Sequence, residues 1–280
     1  MVAQANHQFL TNFFTSEFPE YASNDLYITG ESYAGIYVPN IAKEILKAPG
    51  PINLKGFAVG DGCMGTDVLC GSGNPDKGPY YQVEFLHGHG QVSEKNYRAI
   101  TTECPEAVLR SGSGESAACT AALKQMSDNL GGFFGYSLYD DCVYDEAFGA
   151  AVKQLTGLFS EDVAGLLGGT GGNGLGANQP NGYPCPGPAM HIWLNHTTVK
   201  KALNVPANAR FNNGDNGVGF NYTLTEKNVL PFYAHVIQNT SLRVLVYNGD
   251  TDPGINSMVT QDKYFNYLSS IGLEPKREWR

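Results

Sequence analysis

The sequence has few charged residues, and fewer of them are positive than negative. Only 16% of its 280 residues are charged, and 18 Lys and Arg stand against 27 Asp and Glu, giving a net charge of -9. Nucleic acids and anionic membranes attract basic surfaces and repel a chain with this balance. The composition therefore argues against a nucleic-acid-binding protein, and we expect no nucleic-acid partner.

Long apolar runs are also missing. No run approaches the roughly 18 apolar residues that a membrane-spanning helix needs, so the sequence predicts no membrane span. Hydrophobic residues nevertheless make up 42% of the chain and aromatic residues 11%. A chain of this length and composition can bury a substantial core and is unlike a disordered one.

None of the six cysteines lies in a C-x-x-C spacing, which zinc and redox sites favour. Their even number allows three disulfides, with buried free thiols as the alternative. Sequons for N-glycosylation begin at Asn195, Asn221 and Asn239. Together these features favour the secretory pathway, whether lysosome, vacuole or extracellular space. No signal peptide follows Met1, so we expect the chain to be an internal piece of a longer polypeptide.

Hydrophobic periodicity predicts helices and buried strands that alternate along the chain. The predicted helices cover residues 3–17, 32–46, 226–238 and 256–270, and the predicted strands cover 25–29, 54–59 and 243–247. Strand, helix and strand in that order imply a right-handed parallel crossover. We therefore expect an α/β fold with a mostly parallel sheet flanked by helices.

The middle of the chain has a different character. Residues 65–192 hold five of the six cysteines, together with a run at 167–182 that is rich in glycine and predicts an exposed loop. We expect a core formed by residues 1–64 and 193–280, with residues 65–192 as an insertion.

A possible nucleophile lies where the first predicted strand meets a helix. Gly30 and Ala34 flank Ser32 at two residues on either side. A nucleophile elbow of the G-x-S-x-G type needs such small residues because the strand and the helix approach closely there. A serine that caps the helix after a glycine turn is the alternative, and the spacing alone does not decide between them.

A possible partner for this serine follows the last predicted strand. Asp250 and Asp252 lie in the loop where an α/β enzyme of this kind carries the carboxylate that orients a catalytic histidine. A calcium loop is disfavoured, because Gly254 stands where an oxygen ligand is needed and Ile255 where a glycine is needed. A simple Asp-Pro-Gly turn remains the alternative.

A possible metal site begins at His87 and His89, but no acidic or histidine partner stands at a suitable spacing. An exposed turn is therefore the favoured interpretation. We expect no metal ion and no organic cofactor.

Several segments together resemble the serine carboxypeptidase family. Residues 26–39 (LYITGESYAGIYVP) resemble its nucleophile segment, and the resemblance extends to 54–62 (LKGFAVGDG), 193–205 and 244–252 (VLVYNGDTD). It implies the α/β-hydrolase fold, with an inserted helical cap over residues 65–192.

The resemblance also implies roles for individual residues. Ser32 matches the nucleophile, Asp252 the acid of the triad, and the backbone N–H of Tyr33 a donor of the oxyanion hole. Glu31 matches a carboxyl group that binds the C-terminal carboxylate of the substrate. Two carboxyl groups lie together most easily when they share a proton, so Glu31 would hold a free C-terminus best in acid. The implied substrates are the C-termini of peptides or proteins.

The disulfide pairing is only partly given by the resemblance. It implies that Cys104 pairs with Cys119 and that Cys142 pairs with Cys185. Closeness along the chain leads us to pair Cys63 with Cys70.

The sequence departs from the family pattern in three places. Asp61 stands where the family usually has asparagine, and no histidine follows Asp252, since the last one is His235. The glycine-rich oxyanion segment of the family is also missing. We therefore expect the triad histidine outside this chain and the 280 residues to be inactive alone. Two alternatives for the whole protein are an acyltransferase on the same scaffold and a catalytically inactive binding or protective protein.

Overall fold

The computed structural model describes residues 1–130, 133, 136–139, 186–210 and 223–274. Its contacts form two units, one of residues 1–130 and 224–280 and one of residues 131–223. The first unit contains α1 (Val2–Asn12), β1 (Leu26–Glu31), α2 (Ala34–Lys47), β2 (Leu54–Gly60), α3 (Tyr80–Gly88), α4 (Glu94–Glu103), α5 (Glu106–Ser111), α6 (Ala117–Leu130), α9 (Leu230–Asn239), β3 (Arg243–Tyr247) and α10 (Ser257–Ser270). The described part of the second unit contains α7 (Pro186–Asn195) and α8 (Thr197–Ala202). No described helix has the length and hydropathy needed to cross a membrane.

The three strands form a parallel sheet in the order β1-β2-β3. Glu31 pairs with Gly60, and Gly60 pairs with Tyr247, so the strands end level with one another. The predicted α/β class and parallel crossover are thus confirmed. Residues that follow the three strands are consequently brought to one edge of the sheet.

One face of this sheet carries the largest part of the core. Phe57 and Val59 of β2 are almost fully buried, and they pack with residues of α2 and α9. The ring of Phe57 makes an edge contact with Tyr233, at a centroid distance of 5.6 Å. Burial of side chains this large contributes about 2–3 kcal/mol each, which fixes β2 against both helices.

The opposite face is built around small residues of β2. A side chain at Gly56 would collide with the backbone of Arg243, and one at Gly60 would meet the Tyr247 hydroxyl at 2.7 Å. On the outer strands of this face, Tyr27 is 46% exposed, and so is Tyr247. Glycine in β2 therefore lets the ring of Tyr247 lie across the end of the sheet.

The helix boundaries differ from the predicted ones in ways that local geometry explains. The predicted first helix continues past α1 as a π-helical turn, Phe13–Glu17, in which Phe14 is buried. The helix predicted from residue 226 begins only at Leu230, with Pro231 in its first turn, where the missing proline N–H is not needed. The helix predicted from Ser32 begins at Ala34, because Ser32 has a left-handed backbone.

Residues 65–130 pack in the same unit as the sheet. Lys263 of α10 forms an ion pair with Asp76, and Asp262 accepts a hydrogen bond from the Tyr81 hydroxyl. Arg110 of α5 donates to the same hydroxyl at 2.7 Å. These contacts join α3 and α5 to α10, while the division of the chain at residues 65 and 192 stays a prediction. The predicted loop at 167–182 lies outside the described residues.

Two of the predicted disulfides are present in the structure. They join Cys63 to Cys70 and Cys104 to Cys119. The pair Cys142 and Cys185 lies outside the described residues.

The predicted glycosylation sites fall in different surroundings. Asn239 is exposed at the end of α9, and its side-chain amide donates to the His235 carbonyl at 3.0 Å. Asn195 is half-buried at the end of α7. Asn221 lies outside the described residues, and glycosylation at all three stays a prediction.

Candidate active site

Ser32 forms the turn between β1 and α2 and has a strained backbone. Its φ of 59° lies in the left-handed region, which residues other than glycine rarely adopt. Its N–H donates to the Gly60 carbonyl at 3.0 Å, and its carbonyl accepts from Gly35 and Cys63, each at 3.0 Å. Hydrogen bonds on both sides of the residue thus hold the sharp turn in place.

The Ser32 hydroxyl does not cap α2. In the described part of the chain it takes part in no hydrogen bond, and Tyr33 occupies the N-cap position without a side-chain hydrogen bond to the helix. A capping serine would instead accept a hydrogen bond from the first turn of the helix. The structure therefore favours the nucleophile-elbow geometry over the helix cap.

The turn is tight enough to require small residues at three positions. A side chain at Gly30 would overlap the methyl group of Ala34 and lie 3.1 Å from Val38. A side chain at Gly35 would lie 2.6 Å from the backbone nitrogen of Cys63 and 2.8 Å from the carbonyl carbon of Gly62. The sequence indicated Gly30 and Ala34, whereas the close approach at Gly35 is visible only in the structure.

Asp252 lies in the loop between β3 and α10 and is half-buried. Its Oδ1 accepts hydrogen bonds from the backbone of Gly254 at 2.7 Å and of Ile255 at 3.2 Å. Asp252 thus forms the Asp-Pro-Gly turn that the sequence offered as the alternative interpretation. The same two donors also fix its carboxylate, so the turn and a catalytic role are compatible.

The sheet brings Ser32 and Asp252 to the same edge. Ser32 directly follows the last residue of β1, and Asp252 follows the end of β3 by five residues. Because parallel strands end together here, both residues lie beyond the carboxyl ends of the strands, where open α/β sheets bind ligands.

Asp61, directly after β2, is a buried carboxylate at the centre of this edge. It is only 7% exposed, and its backbone is left-handed, with a φ of 43°. Its oxygens accept from the Gly249 N–H at 3.0 and 3.1 Å and from the Asn248 side chain at 3.0 Å. Sequence reasoning noted Asp61 only as a departure from asparagine, although a polar residue directly after a central strand was a usable signal.

Glu31, Asp61 and Asp252 form an acidic cluster whose members resist ionisation. Burial, followed by the charges of Asp61 and Asp252, raises the pKa of Glu31. Burial also raises the pKa of Asp61, against a lowering effect of the Gly249 hydrogen bond. The pKa of Asp252 is raised by burial, and the amides of its own turn oppose this. A proton is therefore retained at this edge to higher pH than on isolated carboxyl groups.

We expect the acidic cluster to contribute to the pH dependence of stability. Glu31 binds its proton more tightly in the folded chain than in the unfolded chain, so its contribution is present in acid and is lost as pH rises through its raised pKa. We expect Glu31→Gln to become more stable relative to the wild type between about pH 4 and pH 7. Urea unfolding of both proteins across this range measures the difference.

The matched control for this experiment is Glu20→Gln, which removes an exposed carboxyl group outside the cluster. It measures the effect of removing a carboxyl group outside the cluster across the same pH range, and the difference for Glu31→Gln is compared with it. A difference for Glu31→Gln that stays constant across the range would contradict the coupling of the three carboxyl groups.

The two histidines that could have begun a metal site have separate partners. The His87 ring stacks on Tyr97, with centroids 3.6 Å apart, and its Nε2 lies 3.1 Å from Glu94. His89 lies 2.7 Å from the Phe85 carbonyl and 3.3 Å from the Asp250 carboxylate. Among the described residues, no group of three or more acidic, cysteine or histidine side chains is arranged to hold a metal ion.

Comparison with known proteins places the whole chain in one family. The family model described as serine carboxypeptidase matches residues 1–280. The chain belongs to the serine carboxypeptidase family. Its predicted resemblance to that family is thereby confirmed.

Curated proteins from two animals are similar to the chain. The chain is 30% identical to "Serine carboxypeptidase ctsa-4.1" of Caenorhabditis elegans, over 93% of this chain and 53% of the relative. It is 27% identical to the "Lysosomal protective protein" of Mus musculus, over 92% of this chain and 54% of the relative. The chain thus spans about half the length of the curated relatives it matches.

A solved structure supports the fold. The prohormone-processing carboxypeptidase Kex1(delta)p of Saccharomyces cerevisiae matches with a TM-score of 0.55 and 16% identity, over 94% of this chain and 52% of that one. This member of the serine carboxypeptidase family therefore has the α/β-hydrolase fold, as the sequence predicted.

Within the described residues, no histidine side chain donates a hydrogen bond to Asp252, whose carboxylate is contacted by Gly254 and Ile255. His235 lies in α9, next to Asn239. His89 contacts the neighbouring carboxylate of Asp250, at 3.3 Å. Ser32 and Asp252 thus lie at one edge of the sheet, and among the hydrogen bonds of the described residues none joins a histidine to Asp252.

Proposed function

We propose that Ser32 is the nucleophile of a serine-type carboxypeptidase that removes amino acids from the C-termini of peptides. The observation that carries the proposal is the left-handed Ser32, held between β1 and α2 at the sheet edge that also bears Asp252. A hydroxyl that is presented by a strained turn and takes no part in capping the helix is suited to attack a substrate.

The proposed reaction proceeds through an acyl-enzyme. The Ser32 Oγ attacks the last peptide carbonyl carbon, and a histidine takes the hydroxyl proton and then gives it to the leaving amino group. Asp252 would orient that histidine, and the N–H of Tyr33, at the start of α2, would donate to the oxyanion. Water then attacks the ester bond and frees both the shortened peptide and Ser32.

The proposed base is a histidine outside these 280 residues. Two observations support this: no histidine of the described residues donates to Asp252, and the chain spans about half the length of its relatives. We accordingly expect the 280 residues alone to be essentially inactive, because removal of the base abolishes most of the catalysis of such a triad.

The proposed selectivity for a free C-terminus rests on Glu31. Its carboxyl group lies one residue before the nucleophile, and its raised pKa favours the protonated form. A protonated carboxyl group can donate a hydrogen bond to the substrate carboxylate, whereas an ionised one would repel it. The proposed reaction is therefore fastest in acid.

The setting of the protein is proposed to be the secretory pathway. Two disulfides within the described residues fit an oxidising compartment. One relative carries the name lysosomal protective protein, which fits an acidic destination for the proposed activity.

Product analysis on the longest natural polypeptide that contains these residues tests the proposed function. At acid pH we expect single amino acids to be released from a peptide with a free C-terminus, and about none from the same peptide with a C-terminal amide. A fluorophosphonate probe is expected to modify Ser32. Equal hydrolysis of the two peptides, or no adduct on Ser32, would refute the proposal. A missing adduct would favour the inactive binding protein, whereas acyl transfer from an activated acyl ester to an alcohol, without peptide hydrolysis, would favour the acyltransferase.

A further inference from the structure

The end of β2 and the residues directly after it contact both the turn at Ser32 and the loop that carries Asp252. The Gly60 carbonyl accepts from the Ser32 N–H, and the Cys63 N–H donates to the Ser32 carbonyl, each at 3.0 Å. Between them, the Asp61 side chain accepts from Asn248 and Gly249 at the start of the loop that carries Asp252. Residues 60–63 thus connect the nucleophile turn to the acid loop.

A chain of hydrogen bonds runs from Asp61 through the acid loop to Asp252. The side-chain amide of Asn248 donates to Asp61 at 3.0 Å and to the Ile255 carbonyl at 2.6 Å. The N–H of Ile255 in turn donates to Asp252 at 3.2 Å. Asn248 therefore ties the two ends of the loop together, and Asp61 fixes Asn248 to the end of β2.

Every group that faces the Asp61 carboxylate in these contacts is a donor. The Gly249 N–H is shared between both oxygens, at 3.0 and 3.1 Å, while the Asn248 amide donates to Oδ2. An asparagine at this position would offer one oxygen and would turn its NH₂ group toward a donor. Aspartate, with two accepting oxygens, is thus better suited to these donors than the asparagine usual in the family.

We propose that Asp61 is a positioning residue, which fixes the loop of residues 248–255 and thereby holds Asp252 relative to Ser32. The catalytic consequence rests on the proposed function, whereas the effect on the loop does not. Asp61 would act through Asn248 and Gly249 and would not touch the substrate. Its second effect is electrostatic, since after burial the charge of Asp61 is the next cause that raises the pKa of Glu31.

Hydrogen exchange on the 280-residue chain tests the effect on the loop without requiring activity. We expect Asp61→Leu to raise the exchange of the amides of residues 248–256 by about tenfold or more, because Asn248 and Gly249 lose their buried acceptor. Asp61→Asn, which keeps one accepting oxygen, should give an intermediate increase. The control is Thr251→Ala, which alters an exposed side chain of the same loop that makes no hydrogen bond among the described residues, and it should leave the exchange unchanged.

Hydrolysis by the longer natural polypeptide tests the effect on the site. Among the described residues, the carboxyl groups that interact at this edge are Glu31, Asp61 and Asp252, and the Tyr247 ring lies against Gly60, the residue before Asp61. We expect Asp61→Asn to lower kcat and to move the pH at which KM begins to rise to a lower value, because Glu31 then loses its proton more easily.

The outcomes separate this proposal from the proposed function. Loop exchange that stays at the wild-type rate in Asp61→Leu would overturn the positioning role, whether or not the wild type hydrolyses peptides. Faster loop exchange together with an unchanged kcat and pH profile in Asp61→Asn would also overturn it, because Asp61 would then have only a structural role. A wild type that releases no amino acid refutes the proposed function and leaves the exchange experiment to decide the effect on the loop.

Discussion

Replacement of Ser32 by alanine is expected to reduce peptide hydrolysis by a factor on the order of 10⁴–10⁶, the range for removing a triad serine. The substitution deletes a hydroxyl that has no hydrogen bond in the described part of the chain, so it breaks no contact of the fold. The backbone hydrogen bonds to Gly60, Gly35 and Cys63 remain available. The loss should therefore fall on kcat, with little change in unfolding free energy.

The measurement is the rate of amino-acid release by the longer natural polypeptide, together with its urea midpoint. Ser23→Ala provides the control, because Ser23 is an exposed serine that precedes β1. We expect the control to keep its activity and the urea midpoints of both variants to stay near that of the wild type. Hydrolysis by Ser32→Ala at more than about a tenth of the wild-type rate would exclude Ser32 as the nucleophile.

The sheet could be predicted from the sequence because its strands are short apolar runs with clear ends. The runs at 25–29, 54–59 and 243–247 correspond to β1, β2 and β3 with shifts of at most two residues. The order strand, helix, strand then required a parallel crossover for the first two strands. Local patterns were sufficient here, since the burial of each strand and the order of strands and helices along the chain determine the parallel sheet.

The arrangement around Ser32 could be predicted only in part. The pattern of Gly30, Ser32 and Ala34 indicated a tight turn, and the family resemblance selected Ser32 as its nucleophile. The left-handed backbone of Ser32 and its bonds to Gly60 and Cys63 depend on β2, which follows about 30 residues later in the sequence. No local sequence pattern predicts these contacts.

The position of Asp61 directly after β2 was a signal in the sequence, but its contacts could not be predicted, for the same reason. Its partners Asn248 and Gly249 are 187 and 188 residues away along the chain. The contact between Asp262 of α10 and Arg110 of α5, which lies in the predicted insertion, also joins residues that are remote in sequence. Contacts of this kind follow from the register of the sheet and from packing, which composition and periodicity do not specify.

Replacement of Gly35 by alanine is expected to destabilise the chain strongly. The new Cβ would collide with the carbonyl oxygen of Cys63 and lie 2.6 Å from its nitrogen, and real Cβ atoms do not come this close. Both neighbouring atoms belong to the backbone, which cannot rotate away as a flexible side chain can. We expect a loss of about 3 kcal/mol in unfolding free energy, at the upper end for an overpacked site.

The matched control is Gly88→Ala at the end of α3, where the nearest atom is the methyl group of Met258 at 3.8 Å. Alanine favours helices over glycine by about 1 kcal/mol in helix interiors, so this variant should be neutral or slightly stabilised. Urea unfolding of both variants measures the contrast. A Gly35→Ala chain as stable as Gly88→Ala would mean that α2 can move away from residues 62 and 63. The hydrogen bond from Cys63 to Ser32 would then not fix the nucleophile turn, so this stability measurement also tests the geometry on which the proposed function depends.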